Sequence, residues 1–369
     1  MDTSGEGFMT EGAPSSGGGI APTLLGWYEA HARKLPWRCP PGTPLPTHDP
    51  DWPYRVWLSE VMLQQTTVAA VIPYFARFTA RWPTVADLAA ADEGEVMAAW
   101  AGLGYYARAR NLIACAQAIA AQGGAFPADE EALRALPGFG AYTAAAVAAI
   151  GFGRRAVVVD ANVERVASRL FAIGQPLPGA KPAIRKAVDA ITPGPGILDS
   201  RAGDFAQAMM DLGATICTTR APRCLLCPLR PHCGAHAAGQ AEAYPVKPPR
   251  RARRERRGWA YWIIRDDAVW LVRRAARGLL GGMRALPDDG WSASADGSGT
   301  PPLAGPWRVA GEVTHVFTHF TLHLELALYS GSDWASLPAQ HGQWWPLDRL
   351  DEAGLPTLFA RAAQLVVIK

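Results

Sequence analysis

The stretch CTTRAPRCLLCPLRPHC, Cys217 to Cys233, holds four of the chain's six cysteines within seventeen residues, at gaps of six, two and five. Thiols this dense decide how their own segment closes, either through disulfides or through ligation. Disulfides need an oxidising compartment. The N-terminal MDTSGEGFMTEGAPSSGGGIAP is rich in Gly, Ser, Pro and Thr and has no apolar core. It does not read as a signal peptide, and residues 1–22 are expected to be a disordered leader. The expected compartment is therefore a reducing cytoplasm, which turns Cys217, Cys224, Cys227 and Cys233 towards a metal or cluster site. Cys39 and Cys115 have no such company and are expected to be small buried hydrophobes.

A chain of 369 residues has room for about two domains. No uninterrupted apolar run approaches the ~18–20 residues of a membrane span. The net charge of +3 argues nothing alone, but KPPRRARRERR (247–257) gathers seven basic side chains and one acid. Such a block marks a domain boundary and suits a phosphate backbone as well as solvent. Before it, from Pro22 to about Ala238, apolar residues recur at three- and four-residue spacing, with Gly at the breaks. After it, WAYWIIRDDAVWLVRR reads as two strands around an Asp-Asp turn. TLHLELALY places Leu322, Leu324, Leu326 and Leu328 on one strand face, and PTLFARAAQLVVI closes the chain as an amphipathic helix. The expected architecture is a leader (1–22), a mainly α domain (23–238), a basic linker (239–258) and a smaller α+β domain (259–369).

Within the helical half, ALRALPGFGAYTAAAVAAIGFG predicts a short helix ending at Leu136, a tight Pro137-Gly138-Phe139-Gly140 turn, and an Ala-rich helix from Ala141. Gly138 and Gly140 let the backbone approach a ligand closely, and the following helix start suits an anion such as a DNA phosphate. A plain helix-turn-helix connection also uses glycine. Leu-Pro-Gly-x-Gly resembles the helix-hairpin-helix of DNA repair glycosylases. With VVVDANVERV (157–166) and the four cysteines, it stands in the order used by the endonuclease III and MutY glycosylases. The cysteine spacing matches the 4Fe–4S loop of that family. Zinc remains the other ion for four thiolates, although zinc sites ordinarily pair two separated C-x2-C knuckles. The resemblance implies a cluster of structural rather than chemical use, on a loop whose Arg220, Arg223 and Arg230 can face phosphates.

LPWR (35–38), VWLSEVMLQQTTVAAVIPYF (56–75), GLGYYARARNL (102–112) and FAQAMMDLGATIC (205–217) closely resemble the MutY-type adenine DNA glycosylases. The Pro-rich CPPGTPLPTHDPDW (39–52) departs from that pattern and is expected to be a surface loop. Position 142, two beyond the second hairpin glycine, would hold the Schiff-base lysine of a lyase. Here it is Tyr142, which implies a monofunctional glycosylase that leaves the strand intact. The resemblance makes Glu60 the general acid for the departing adenine. Its apolar setting, Leu58-Ser59-Glu60-Val61-Met62, predicts burial and a protonated side chain. Asp160 would stabilise or transiently attack the oxocarbenium-like sugar; an N-cap on the helix after it is its competing role. Tyr142 and Asn162 would assist at the sugar. Gln65 and Tyr105 match residues that wedge into the duplex as the base leaves the stack. Leu35, Trp37 and Arg38 match part of the adenine pocket, and Gln207 takes a position there that varies between Glu and Gln.

The last domain resembles the Nudix-like domain of the same family. DDGWSASADGSG lacks the carboxylates of a Nudix box, so metal-dependent pyrophosphatase chemistry is not expected. In the family this domain reads 8-oxoguanine through a Phe-Ser-His turn, matched here by Phe317-Thr318-His319. Thr keeps the hydroxyl and adds a methyl. The whole implies a monomer acting in base excision repair on duplex DNA with A:8-oxoguanine or A:G mispairs, and no membrane. The alternatives are a related glycosylase for mismatched thymine, an endonuclease III-like lyase, and a non-catalytic DNA-binding redox sensor.

Overall fold

A computed structural model describes residues 19–194, 201–248, 253–275, 278–337 and 342–367. The leader up to residue 18, and 249–252 of the basic stretch, lie outside the described residues. Thirteen α-helices appear among the described residues. In chain order the first six are α1 (Ile20–His31), α2 (Trp52–Leu63), α3 (Val68–Arg81), α4 (Val85–Ala90), α5 (Glu93–Trp100) and α6 (Ala107–Ala121). Then follow α7 (Glu130–Arg134), α8 (Ala141–Ala146), α9 (Ala161–Leu170), α10 (Lys181–Ile191), α11 (Ala202–Thr215), α12 (Gly234–Ala237) and α13 (Thr357–Val367). No described segment before residue 253 forms a strand, as the helical periodicity predicts. Among the described residues no helix is long and apolar enough to cross a membrane.

The start of α1 differs from expectation. Ile20 and Ala21 are drawn out of the expected leader because they are buried with Leu24 and Leu25 on one helix face. The 39–51 stretch carries no regular element and is largely exposed, whereas Trp52 opens α2 and is buried. Cys115 is fully buried on α6 and burial pushes its thiol up to about 12, while Cys39 is only half-buried.

Contacts divide the chain into two compact units. One comprises 1–48, 127–133 and 140–248; the other comprises 49–126, 134–139 and 249–369. In the first, α11 is buried along most of its length, packing against α1 and α9. Close approach is set by glycine: a Cβ on Gly203 would lie 2.8 Å from the Ala149 carbonyl, and one on Gly213 would lie 2.7 Å from Asn162 Cβ.

The second unit carries α2–α6 and the strands. β1 (Arg254–Trp262) runs parallel to β6 (Phe320–Tyr329), which pairs antiparallel with β5 (Trp307–Val316). β2 (Ile264–Arg265), β3 (Ala268–Arg273), β4 (Arg284–Ala285) and β7 (Gly342–Pro346) form the other sheet around β3. The Asp266-Asp267 turn joins β2 to β3, with Asp266 at φ 53°. Leu322, Leu324 and Leu326 are fully buried in one core with Trp262, Leu271, Trp291 and the inner face of α13, and Leu328 packs at its edge. Period-two alternation therefore has the physical outcome it implies.

Candidate active site

α2 begins with Pro53 in its first turn, where a missing N–H costs nothing, and is buried from Val56 to Met62. Among these apolar side chains Ser59 satisfies itself by donating to the Val56 carbonyl at 2.7 Å, and Glu60 is 5% exposed. The expected enclosure of that carboxyl is present.

The helix ends without glycine or a local cation, leaving terminal carbonyls that need donors. Arg108 supplies them from α6. Its Nη1 donates to the Val61 and Met62 carbonyls at 2.8 Å each. Its Nη2 donates to the Leu103 and Gly104 carbonyls at 3.1 Å and to Thr66 Oγ1 at 3.2 Å. The guanidinium also lies over the Trp100 and Tyr105 rings, and burial lowers its pKa to about 10. One buried fork thus ties the end of the Glu60 helix to two loops, 64–66 and 103–105. Each loop holds a non-glycine residue in left-handed backbone, Gln65 at φ 57° and Tyr105 at φ 50°. Strain of this kind persists where surrounding bonds enforce it, and it gathers at functional positions. Both side chains are exposed, Tyr105 by 46%.

Gln65 and Tyr105 line a cavity of about 490 Å³ together with Arg108, His315, Phe317, Thr318 and His319. The tip of the β5–β6 hairpin explains the second set. Val316 pairs with Thr321, and the Phe317 N–H donates to the Phe320 carbonyl at 2.8 Å, so Thr318 and His319 form an exposed two-residue turn. Phe317 is anchored by stacking on Phe320 at 4.7 Å, with the His315 ring edge-on at 4.6 Å. Burial lowers the pKa of His315, with a smaller contribution from Arg361.

In the other unit, Asp160 caps α9. One carboxylate oxygen accepts from the Val163 N–H at 2.7 Å, and the other from Asn162 Nδ2 at 2.9 Å. The capping role weighed against catalysis is therefore real, and it leaves the carboxylate held in place. Burial raises the Asp160 pKa, against hydrogen bonds from Val163 and Asn162 and the charge of Arg165. Arg165 continues the chain of bonds, donating to Asn162 Oδ1 at 2.9 Å and to the Gly213 and Cys217 carbonyls at 2.7 Å each. Tyr142 is half-buried in the first turn of α8.

One face of α11 presents Gln207 and, a turn later, Asp211. Gln207 is 5% exposed; its Nε2 donates to the Gly203 carbonyl, and its Oε1 has no partner among the described residues. Asp211 is fully buried, and its two carboxylate oxygens accept from Arg38 Nη1 at 2.8–2.9 Å and from the Arg33 N–H and Nε. A buried carboxylate so paired fixes the 33–38 loop, in which Trp37 is buried and Leu35 is half-buried.

In the expected hairpin, α7 stops at Arg134, two residues before the expected Leu136, and α8 starts at the expected Ala141. Gly138 has φ 76°, and a Cβ there would meet Asn111 Cβ at 2.6 Å, so it is needed on two counts. Phe139 stacks flat on Trp57 at 6.1 Å. A Cβ on Gly140 would meet nothing within 4 Å, and no side chain caps α8.

Cys217, Cys224, Cys227 and Cys233 line one small cavity with Arg169, Arg230 and His236. Arg169, only 2% exposed, donates to Cys217 Sγ at 3.3 Å and to the Thr218 and Thr219 carbonyls. Burial pushes the Cys227 thiol up to about 11, and the charges of the other three sulfurs push the same way. Among the described residues no His, Cys, Asp or Glu side chains are grouped tightly enough for a single metal ion. Four thiols around one cavity are a donor set of the kind that a metal or an iron–sulfur centre takes.

The structure thus gathers the four cysteines at one cavity, Gln65, Tyr105 and 317–319 at another, and Asp160 with Asn162. Glu60 belongs to the second unit and Asp160, Tyr142 and Asn162 to the first. Arg108, Arg165, Arg169 and Asp211 are the residues that reading the sequence missed.

Residues 58–190 match the family model of the HhH-GPD superfamily base excision DNA repair proteins, and 259–365 match that of the NUDIX domain. The chain is 34% identical to the adenine DNA glycosylase of Rattus norvegicus, over 90% of this chain and 75% of that one. It is 37% identical to the adenine DNA glycosylase of Mycolicibacterium smegmatis, over 69% of this chain and 86% of that one. Among solved structures, a thermostable thymine-DNA glycosylase superposes with TM-score 0.51 at 28% identity, covering 59% of this chain and 95% of that chain. With both halves matched in order, and one relative aligned over nine-tenths of the chain, this protein belongs to the adenine DNA glycosylase family of helix-hairpin-helix base excision repair proteins.

Proposed function

We propose that the chain removes adenine mispaired with 8-oxoguanine, or with guanine, by hydrolysing the N-glycosidic bond and leaving the strand intact. The observation that carries this reading is Glu60, a carboxyl enclosed in an otherwise apolar stretch of α2. Glu60 gives its proton to N7 of the flipped adenine. The C1′–N9 bond then breaks with its electron pair passing to the purine, which departs as neutral adenine. Asp160 supplies the negative charge that offsets the developing sugar cation, and Asn162 and Tyr142 orient the water. That water adds at C1′ and passes its proton to the Glu60 carboxylate, giving an abasic site and restoring the acid. No lysine stands at 142 to form a Schiff base, so no β-elimination follows.

Gln65 and Tyr105 fill the gap left by the base, at a cost of a few kcal/mol for unstacking. Leu35, Trp37, Arg38 and Gln207 hold the adenine, Gly138 and Gly140 admit a phosphate, and Phe317, Thr318 and His319 read the opposite 8-oxoguanine. The cavity joining 65, 105 and 317–319 supports placing the wedge and the opposite-base reader together. Cys217, Cys224, Cys227 and Cys233 would hold a 4Fe–4S cluster, which when bound closes the 217–233 loop without entering the base chemistry. The protein works as a monomer in the cytoplasm, with a glycosylase domain from α1 (Ile20–His31) onward, a basic linker after it, and a recognition domain whose first strand, β1, begins at Arg254 rather than after the expected linker end at 258.

Glu60→Gln keeps the shape and removes the acid. It is expected to bind a duplex with A opposite 8-oxoguanine as the parent does, and to excise about 10²–10⁴-fold more slowly, the usual worth of a positioned acid. Excision at the parental rate would remove Glu60 from the mechanism.

A further inference from the structure

Leu225 and Leu226 are 79% and 67% exposed, the largest values among the exposed large hydrophobic side chains. They occupy the 3-10 turn Cys224–Leu226, between two of the cysteines that line the thiol cavity. Leu229, three residues on, is 1% exposed, so the loop has an apolar inside and these two leucines are not on it. The turn is closed by Leu226 N–H to the Arg223 carbonyl at 3.0 Å and Cys227 N–H to the Cys224 carbonyl at 3.1 Å.

The same loop carries Arg220, Arg223 and Arg230, all exposed, and among the described residues no ion pair engages any of them. Among the described residues the one acid bonded to the loop is Glu242, which accepts from the Ala221 N–H at 2.8 Å. An apolar tip on a loop that also carries three exposed arginines without ion pairs has the makings of a complement to a DNA groove: phosphates at its edges and uncharged sugar and base edges at its floor.

We propose that Leu225 and Leu226 form an apolar foot that seats in the minor groove beside the lesion, while the three arginines take the flanking phosphates. The proposal rests on the glycosylase reading above and adds a non-ionic contact to it. Held by the closed loop, the foot is pre-ordered, so seating it costs little chain entropy. It gives grip that salt does not screen, in a place where arginine contacts alone are screened.

The test measures affinity for a duplex whose target adenosine is 2′-fluorinated against hydrolysis, placed opposite 8-oxoguanine, across a series of salt concentrations. Leu225→Ser/Leu226→Ser is expected to bind about tenfold more weakly, with an unchanged slope of log K against log salt. Arg223→Gln/Arg230→Gln is expected to flatten that slope by about 0.9 for each phosphate no longer neutralised. Leu225→Met/Leu226→Met should restore parental affinity, and iron per chain should equal that of the parent throughout.

Parental affinity in the serine variant overturns the foot while leaving the glycosylase reading intact. A flatter slope in that variant also overturns it, since the leucines would then act only by placing charge. A leucine-dependent dimer in sedimentation would assign the tip to a second copy instead. If the parent itself neither binds nor cuts adenine-containing mispairs, the underlying reading falls first and the foot with it.

Discussion

At the residue scale, the carboxylates are set by what surrounds them rather than by their neighbours in sequence. Asp160 is raised by burial and pulled back by the donors that cap it, above all the Val163 N–H and the Asn162 side chain. In the proposed function it acts as an anion, so excision is expected to be lost as pH falls through its raised pKa, with the acid limb shifted upward from that of an unperturbed aspartate. Asn162→Ala removes a donor to the charged form. It is expected to move the acid limb of single-turnover excision to still higher pH, and a limb that stays put would separate Asn162 from the Asp160 charge. Asp160 was legible because VVVDANVERV announces both a buried approach and a capped helix. Arg165 and Arg169 were not, because their partners lie some fifty residues away, at Gly213, Cys217 and Thr218. Nothing in the local spacing of an arginine tells which carbonyl it will meet.

At the element scale, Arg108 explains how two loops of ordinary composition hold left-handed residues. Gln65 and Tyr105 carry no sequence mark of positive φ, since neither is glycine, asparagine or aspartate. Only the five hydrogen bonds from one buried guanidinium, spread over α2 and both loops, make that conformation visible. Lysine cannot reproduce a planar fork with donors in two directions. Arg108→Lys is expected to lower stability by about 2–3 kcal/mol and to weaken unstacking of the target, read by 2-aminopurine fluorescence in the duplex. Full stability with full unstacking would contradict the bracing role. Other elements were plain in the sequence. The alternation of β6 fixes which leucines enter the core, and the Gly138 turn falls where Leu-Pro-Gly-x-Gly predicts it. The entry of Ile20 into α1 was missed because a Gly-rich approach hides a single buried helix face.

At the scale of the whole molecule, two contact units cut across the order of the chain, grouping 49–126 with 249–369. A change of periodicity along a sequence marks where the architecture switches, and the shift after the basic stretch was legible in that way. It carries no information on which helices later strands will contact, because such contacts depend on surfaces far apart in sequence. Membership in the adenine DNA glycosylase family rests on both halves matching in order, and the cavity lined by 65, 105 and 317–319 is where the proposed function puts the reader of the opposite base. The most direct measurement incubates purified protein with end-labelled duplexes bearing adenine opposite 8-oxoguanine, guanine or thymine, each resolved with and without alkali. Breaks in the adenine strand that appear only after alkali, fastest opposite 8-oxoguanine, are the expected result. Breaks without alkali, or none at any adenine, would contradict the account.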